Sequence, residues 1–182
     1  MKAIVCRELT GIDGLTLEEI PAPVLAAGQV RIRVRACGVN FADSLITRGQ
    51  YQVQPQPPFS PGFEVAGEVL EVGKGVTGCK AGDRVIAITP HGGYAEQVVA
   101  NVNRCVAMPA AMPWEHGAAF PVVFGTSHVA LWHRARLRAS ETLVVHGASG
   151  GVGLTAVAIG KQLGATVIAT ASSPDKLEVA RQ

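Results

Sequence analysis

Residues 148–153 have the types and spacing of a phosphate-binding turn. Ala148, Gly150 and Gly153 occupy the three positions of the pattern G-x-G-x-x-G, with alanine in the first. Such small residues let the backbone turn tightly and approach a pyrophosphate, and Gly153 lets the following helix pack closely on the preceding strand. The first turn of that helix directs N–H groups and the positive end of its dipole towards an anion. The pattern predicts a dinucleotide site formed by Ala148, Ser149, Gly150, Gly151, Val152 and Gly153.

The segments on either side of the turn supply the elements that would position it. Residues 143–145, Leu-Val-Val, are typical of a parallel strand buried on both faces. The apolar stretch after Gly153 predicts a helix, and Val167–Ala169 predicts a second strand. A glycine pattern alone is weak, but the order strand, turn, helix, strand is the context that a dinucleotide site needs. The alternative is a glycine-rich turn that only packs a helix on a sheet.

The residues after the second strand discriminate between the two nicotinamide cofactors. An NAD site normally carries Asp or Glu about 20 residues after the glycines, where it binds the ribose 2′-hydroxyl. This sequence has Thr170-Ala-Ser-Ser-Pro-Asp-Lys176, with no acid at the end of the strand. Ser172, Ser173 and Lys176 could bind and neutralise a 2′-phosphate, which favours NADP(H). Ser173 can also be the N-cap of a helix that begins at Pro174, and both interpretations can hold at once.

Composition narrows the class of protein. A hydrophobic content of 48% in 182 residues is ample for a core. The formal net charge of +2 comes from scattered Lys and Arg, so the sequence does not indicate nucleic acid or an anionic membrane as a partner. No apolar run approaches membrane-spanning length, and the first residues already read as a strand. Four separated cysteines without a C-x-x-C pair fit reduced thiols, so we expect a cytoplasmic protein.

Short strands dominate the first two thirds of the chain. Glycines and prolines separate them, which is typical of a small barrel or sandwich. The predicted strands are residues 2–6, 15–20, 29–36, 65–72, 84–89, 94–100 and 105–108. A short helix is expected up to about Arg48, and residues 114–119 and 126–137 also look helical. We place a domain boundary near Phe120.

Taken together, these segments resemble the quinone oxidoreductase, or zeta-crystallin-like, branch of the medium-chain dehydrogenase/reductase superfamily. The resemblance rests on residues 36–43, 48–51, 61–67, 81–85, 92–96 and 146–153. It implies an α/β fold with a β-rich N-terminal part. A GroES-like short-stranded barrel domain would occupy residues 1–120, and the first part of a Rossmann NADP-binding domain residues 121–182. Ala158 departs from the Gln that members commonly carry, and we expect little effect on cofactor binding.

The same resemblance argues against a metal. Zinc alcohol dehydrogenases of the superfamily carry ligands at the positions matched here by Asn40, Phe63 and Val122, and none of these three is a zinc ligand type. Cys37 precedes the position of Asn40 and is interpreted as a small buried hydrophobe. We therefore predict no metal site, so oxidation of an alcohol through a zinc-bound alkoxide would not be available.

The chemistry that the resemblance implies is hydride transfer from NADPH to an electrophilic acceptor, either a quinone or an enone or enoyl thioester. Asn40 would line the nicotinamide and substrate cleft, as both a cofactor-binding and a catalytic residue, and would donate to an oxygen. Tyr51 would donate a hydrogen bond or a proton to the reduced acceptor. Thr126 would lie beside the nicotinamide and the phosphates. The competing interpretations are an Asn40 that caps a loop, a Tyr51 that packs on the proline loop and a Thr126 that caps the following helix. Glu64 matches a family glutamate but receives no role.

The chain has fewer strands than a complete dinucleotide fold. Only two strands follow residue 141, whereas the fold has about six. We therefore expect a truncated chain with weak or no catalysis by itself, and an uncovered apolar face around Val144 and Ile168. The intact protein could be a homodimer. The alternative outside the enzymes is a non-catalytic binding or structural protein, which need not bind NADPH.

Overall fold

The computed structural model describes residues 1–181. Contacts divide the chain into two units, Met1–Pro121 and the residues from Val122 onward. The strands are β1 Lys2–Cys6, β2 Leu15–Glu19, β3 Gln29–Cys37, β4 Glu64–Val72, β5 Arg84–Ile88, β6 Gln97–Asn101, β7 Cys105–Ala107, β8 Thr142–His146 and β9 Thr166–Thr170. The helices are α1 Phe41–Ile46, α2 Trp114–Ala118, α3 Pro121–His128, α4 Gly151–Gln162 and α5 Pro174–Arg181. A π-helical segment, Val129–Arg134, continues α3.

A five-stranded antiparallel sheet in the order β6-β3-β4-β5-β7 forms the first unit, beside the separate antiparallel pair β1-β2. The alternating sequence of β3 explains its central place. Val30 and Ile32 are fully buried in the core of this sheet. Two arginines on its other face pair with glutamates of β4: Arg31 with Glu71 at 3.5 Å and Arg35 with Glu68 at 3.2 Å.

Two predicted elements begin at least three residues away from their expected first residue. The strand expected from residue 94 begins at Gln97, because the backbone of Tyr94 bonds to other segments: its N–H donates to Pro61 O and its carbonyl accepts from Ile4 N. The helix expected from residue 126 begins at Pro121, where the fixed φ of proline suits a first helical turn. In the described part of the chain, no helix combines the length and apolarity that a bilayer span requires.

The second unit is built on β8 and β9, which pair in parallel from Thr142 opposite Thr166 to His146 opposite Thr170. Helix α4 connects the two strands and packs on them through Gly160. A Cβ at Gly160 would lie 2.7 Å from Leu143 Cδ2, so a larger residue there would require the Leu143 side chain to shift. The predicted fold class is confirmed: a β-rich N-terminal part is followed by a parallel strand, helix, strand unit. Val144 and Ile168 are each 49% exposed, as expected for an uncovered face.

Candidate functional site

The predicted phosphate-binding turn lies between β8 and α4. Gly147 leaves the strand in the left-handed region, with φ of 64°, and Ala148 N donates to Thr170 O at 3.0 Å. Ala148 is buried, and Ser149 is half-buried. The N-cap residue Gly150 is extended, and α4 begins at the exposed Gly151. The free N–H groups at the start of this twelve-residue helix therefore lie beside an open surface.

The glycines of this turn are required for different reasons. A Cβ at Gly153 would lie 2.8 Å from Ala148 Cα, so the packing of the turn excludes any side chain there. A Cβ at Gly151 would lie 3.0 Å from Val123 Cγ1. At Gly150 the nearest atom would be Gly147 O at 3.5 Å, which is an ordinary contact. The fold itself does not need glycine at position 150, whereas a ligand that approaches the backbone would need it.

Thr126 lies on the exposed side of α3, and its neighbour Ser127 is buried. Ser127 Oγ lies 2.8 Å from Thr155 Oγ1, and that oxygen is also 3.0 Å from Val123 O. These contacts join α3 to α4 next to the glycine turn. The structure thus presents Thr126 on a helix whose position is held by the buried Ser127 and Thr155, two residues that the sequence analysis did not select.

The three residues predicted for a 2′-phosphate lie together after β9. Lys176 Nζ donates to Ser172 Oγ at 3.1 Å, and Lys176 N donates to Ser173 Oγ at 3.4 Å. The second contact is the N-cap interaction, so Ser173 caps α5 while it belongs to the cluster. One ammonium and two hydroxyls are donors suited to a phosphate. His146 Nδ1, which the sequence analysis missed, lies 2.9 Å from Thr170 Oγ1 at the same ends of the strands.

In the first unit, Asn40 is oriented by a buried carboxylate. Asn40 immediately precedes α1, and its Nδ2 donates to Glu64 Oε1 at 2.8 Å. Glu64 is 1% exposed. Gly38 gives the carboxylate its space, because a Cβ there would lie 2.6 Å from Glu64 Cδ. Glu64, to which the sequence assigned no role, thus holds the predicted site residue Asn40.

Asp43 and Tyr94 were not selected from the sequence, although the spacing of Asn40 and Asp43 is that of a helix capping box. Asp43 Oδ2 accepts from Asn40 N at 2.7 Å and from Tyr94 Oη at 2.9 Å. Its Oδ1 accepts from Gly62 N at 3.1 Å. Burial raises the pKa of Tyr94 above its usual value, and the nearby charge of Asp43 raises it further. The phenol therefore remains protonated and continues to donate to the carboxylate.

A cavity of about 310 Å³ lies next to these residues. Its lining includes Asn40, Asp43, Tyr94, Ile12, Val39 and Pro61. Tyr51, the predicted catalytic tyrosine, is half-buried and packs on Phe63, with ring centroids 5.3 Å apart. The competing interpretation had Tyr51 pack on the proline loop, and the observed ring contact is with Phe63, just after that loop. Within the first unit, Tyr94 rather than Tyr51 lines the cavity beside Asn40.

Cys37 is close to the same buried carboxylates. Burial raises the pKa of its thiol to about 12, and the charges of Asp43 and Glu64 contribute to the increase. The thiol therefore remains neutral, in keeping with the small buried hydrophobe that the sequence suggested. Across residues 1–181, no three His, Cys, Asp or Glu side chains are grouped as they would be around a metal ion.

Known proteins are similar to this chain in sequence. Residues 26–110 match the alcohol dehydrogenase GroES-like domain. The chain is 39% identical to quinone oxidoreductase-like protein 2 of Rattus norvegicus over 182 residues, which is 100% of this chain and 51% of that protein. It is 41% identical to quinone oxidoreductase of Rattus norvegicus over 177 residues, 96% of this chain and 54% of that protein. The chain spans about half the length of the curated relatives it matches.

Solved structures share its fold. Quinone oxidoreductase of Escherichia coli, determined in complex with NADPH, matches with a TM-score of 0.94 and 31% identity over 100% of this chain and 56% of that chain. The CurK enoyl reductase matches with a TM-score of 0.90 and 32% identity over 99% of this chain and 56% of that chain. The chain therefore carries a GroES-like domain at residues 26–110 and is similar, over nearly its whole length, to quinone oxidoreductases of the medium-chain dehydrogenase/reductase superfamily.

Proposed function

We propose that the protein to which this chain belongs is an NADPH-dependent reductase that transfers a hydride to a quinone without zinc. The observation that carries the proposal is the turn before α4. Its N–H groups open onto an exposed surface, and Gly150 has space for a Cβ that the fold does not use. Homologues named quinone oxidoreductase support the reaction class.

NADP(H) is the proposed cofactor. The turn of residues 148–153 would hold its diphosphate, and Thr126 would lie beside the nicotinamide. Ser172, Ser173 and Lys176 would bind the 2′-phosphate, since they place an ammonium and two hydroxyls within one cluster. The Escherichia coli homologue was crystallised with NADPH, which supports the same choice here.

NADPH would supply the hydride, and the side chains of the first unit would stabilise the reduced acceptor. An amide nitrogen carries two N–H groups, and Asn40 directs one of them to Glu64. We assign the other to the acceptor oxygen, where a fixed donor stabilises the charge that develops during transfer. Tyr51 remains the proposed donor of a hydrogen bond or proton to the reduced acceptor.

The absence of zinc from the mechanism is part of the proposal. It is supported by residue types, because the family resemblance matches Asn40, Phe63 and Val122 to the ligand positions of zinc alcohol dehydrogenases, and none of the three is a zinc ligand type. Asn40 also has a different partner, since its amide donates to Glu64. Elemental analysis of active protein purified in a chelator provides the test: we expect activity with less than one zinc per ten chains, and activity that requires added zinc would contradict the proposal.

Compartment and assembly complete the proposal. The four cysteines are all free thiols in the structure, which supports the reducing cytoplasm as the proposed location of the protein.

A homodimer remains the proposed oligomer of the intact protein. Gel filtration with light scattering of the intact protein would test it, and the expected mass is twice that of one intact polypeptide.

A second candidate is an enoyl-thioester or enone reductase, which the similarity to the CurK enoyl reductase favours. Both activities use the same residues, so the acceptor distinguishes them. Purified full-length protein would be assayed with NADPH and either a benzoquinone or a crotonyl thioester. A larger kcat/KM for the quinone is expected, and a larger value for the thioester would assign the second function.

Cofactor binding distinguishes both enzymes from a non-catalytic protein. We would titrate the 182-residue chain with NADPH and with NADH and follow nicotinamide fluorescence. Lys176→Ala is expected to weaken NADPH binding about tenfold and to leave NADH binding unchanged, because a charged hydrogen bond to the 2′-phosphate is lost. Lys161→Ala, which removes an exposed lysine from α4, is the matched control.

Gly150→Ala tests the turn itself. The structure has space for this Cβ, so we expect an unchanged Tm together with loss of NADPH binding. Gly153→Ala should lower both the Tm and the affinity for NADPH, since its Cβ would meet the backbone of Ala148. NADPH binding that survives Gly150→Ala, or a wild-type chain and full-length protein that bind neither nucleotide, would refute the proposed cofactor site.

A further inference from the structure

Asp43 joins three segments of the first unit. Its carboxylate is 5% exposed and accepts from Asn40 N, Tyr94 Oη and Gly62 N at 2.7, 2.9 and 3.1 Å. A buried carboxylate that accepts several hydrogen bonds forms strong, short contacts, and removal of a partner leaves an uncompensated buried charge. The residue before α1, the turn at Gly62 and the loop at Tyr94 are thereby fixed to one another.

Tyr94 is itself held rigidly. Its backbone N–H donates to Pro61 O at 2.9 Å, and its carbonyl accepts from Ile4 N at 2.8 Å. Its ring lies against Gly62, where a Cβ would be 2.8 Å from Tyr94 Cδ1. The phenol thus approaches Asp43 from a fixed loop, so the hydrogen bond transmits the position of that loop to α1.

These contacts determine the position of Asn40 from two sides. Asp43 fixes the backbone of Asn40, and Glu64 fixes its side-chain amide at 2.8 Å. When both the Asp43 and the Glu64 contacts are present, the second N–H of the Asn40 amide is held in a single direction. All three of Asn40, Asp43 and Tyr94 line the same cavity.

We propose that Asp43 and Tyr94 are a positioning pair that orients the Asn40 amide towards the acceptor oxygen. The inference rests on the proposed function for the identity of that oxygen, whereas the orientation of Asn40 can be measured without it. Neither Asp43 nor Tyr94 transfers a proton to the acceptor in this scheme. Tyr94 donates a hydrogen bond to Asp43, and Asp43 acts on the acceptor only through the position of Asn40.

The first test reads the Asn40 amide directly. In the isotope-labelled 182-residue chain, the side-chain N–H pair of Asn40 is assigned by its loss in Asn40→Ala. We expect Tyr94→Phe and Asp43→Asn to shift or broaden this pair. Asp83→Asn is the matched control, because Asp83 Oδ2 accepts from Lys80 N at 2.8 Å in an exposed turn of the same kind. An Asn40 pair that is unchanged in Tyr94→Phe overturns the proposal, even where Asp43→Asn does not fold.

The second test uses kinetics of the full-length protein. Tyr94→Phe should lower kcat about tenfold or more, because a small misplacement of a positioned group is costly, while the Kd for NADPH is unchanged. In the Asn40→Ala background, Tyr94→Phe should have no further effect on kcat. A loss that persists in that background shows that Tyr94 does not act through Asn40. A wild-type protein that reduces no acceptor would refute the proposed function. In that case the measurement on the Asn40 side-chain amide still tests whether Asp43 and Tyr94 position Asn40.

Discussion

Gly38 illustrates how one missing side chain determines the chemistry of another residue. The Glu64 carboxylate occupies the space that a Cβ at position 38 would take, and from there it accepts from Asn40. Any larger residue at position 38 must displace Glu64. The orientation of the Asn40 amide therefore depends on the backbone two residues before it.

Gly38→Ala tests this dependence. The new methyl group would lie within 2.7 Å of Glu64 Cγ and Cδ, so we expect unfolding in urea to show a loss of about 1–3 kcal/mol. Gly125→Ala is the control, because nothing lies within 4 Å of its Cβ and the residue is inside α3. Alanine there should stabilise the protein by about 0.5–1 kcal/mol. Equal stability changes in the two variants would contradict the packing argument.

Cys37 provides a prediction that depends on pH. Its pKa is raised to about 12 from the ordinary 9.0, chiefly by burial, so the folded protein holds the thiol proton more tightly than the unfolded chain. The resulting stability is complete below pH 9 and is lost as the pH rises towards 12. Because the thiolate is the nucleophile, alkylation of Cys37 at about pH 8 should be slow in the native protein and fast in urea. Equal rates, measured by peptide mass spectrometry, would contradict this.

At the scale of elements, the contact between α3 and α4 depends on a buried hydroxyl pair. Thr155 Oγ1 lies 2.8 Å from Ser127 Oγ and within 3.0 Å of Val123 O and Val152 O. Since α4 begins at the glycine turn, this pair holds the start of the helix against α3 as well.

Thr155→Val should therefore be destabilising. The change preserves the shape of the side chain but leaves Ser127 with one polar contact fewer, and we expect a loss of about 1–3 kcal/mol in urea unfolding. Thr166→Val, at an exposed position of β9, is the control and should change stability by about 0.5 kcal/mol at most. A Thr155→Val variant as stable as Thr166→Val would show that the hydroxyl pair does not hold the helices together.

For the whole molecule, the two units differ in how well their sheets are buried. The first unit contains the continuous core around Ile32 and Val65, both fully buried. In the second, Val145 is buried, but Val144 and Ile168 on the same small sheet are each half exposed. Local opening requires less free energy where few apolar groups are buried.

Hydrogen exchange should separate the two units. Amides of β4 are expected to exchange most slowly, and amides of β8 and β9 at least about tenfold faster. Strand β1 is an internal control: it also lies in a two-stranded sheet, but Ala3, Val5 and Cys6 are no more than 3% exposed. If burial determines the exchange rate, the amides of β1 exchange slowly. Protection of β9 equal to that of β4 would contradict the difference between the units.

The sequence by itself determined the features whose cause is local. Alternation in β3, apolar runs in β8 and β9, and the glycine turn before α4 depend on neighbours a few residues apart, and the structure has these elements in those places. The family resemblance, carried by short motifs, is confirmed. The predicted site residues remain predictions, although Ser172, Ser173 and Lys176 do lie together.

Only the tertiary structure showed what surrounds Asn40. Glu64, Asp43 and Tyr94 are separated from one another by up to 51 residues, and their contacts arise because β4, α1 and the loop at Tyr94 meet in one place. The contact of the Tyr51 ring with Phe63 was likewise not evident from the sequence. Hydrogen bonds between distant segments depend on how sheets and loops pack, and no local pattern specifies that packing. Residue types thus indicated the chemistry, and only the tertiary contacts showed which side chains surround Asn40.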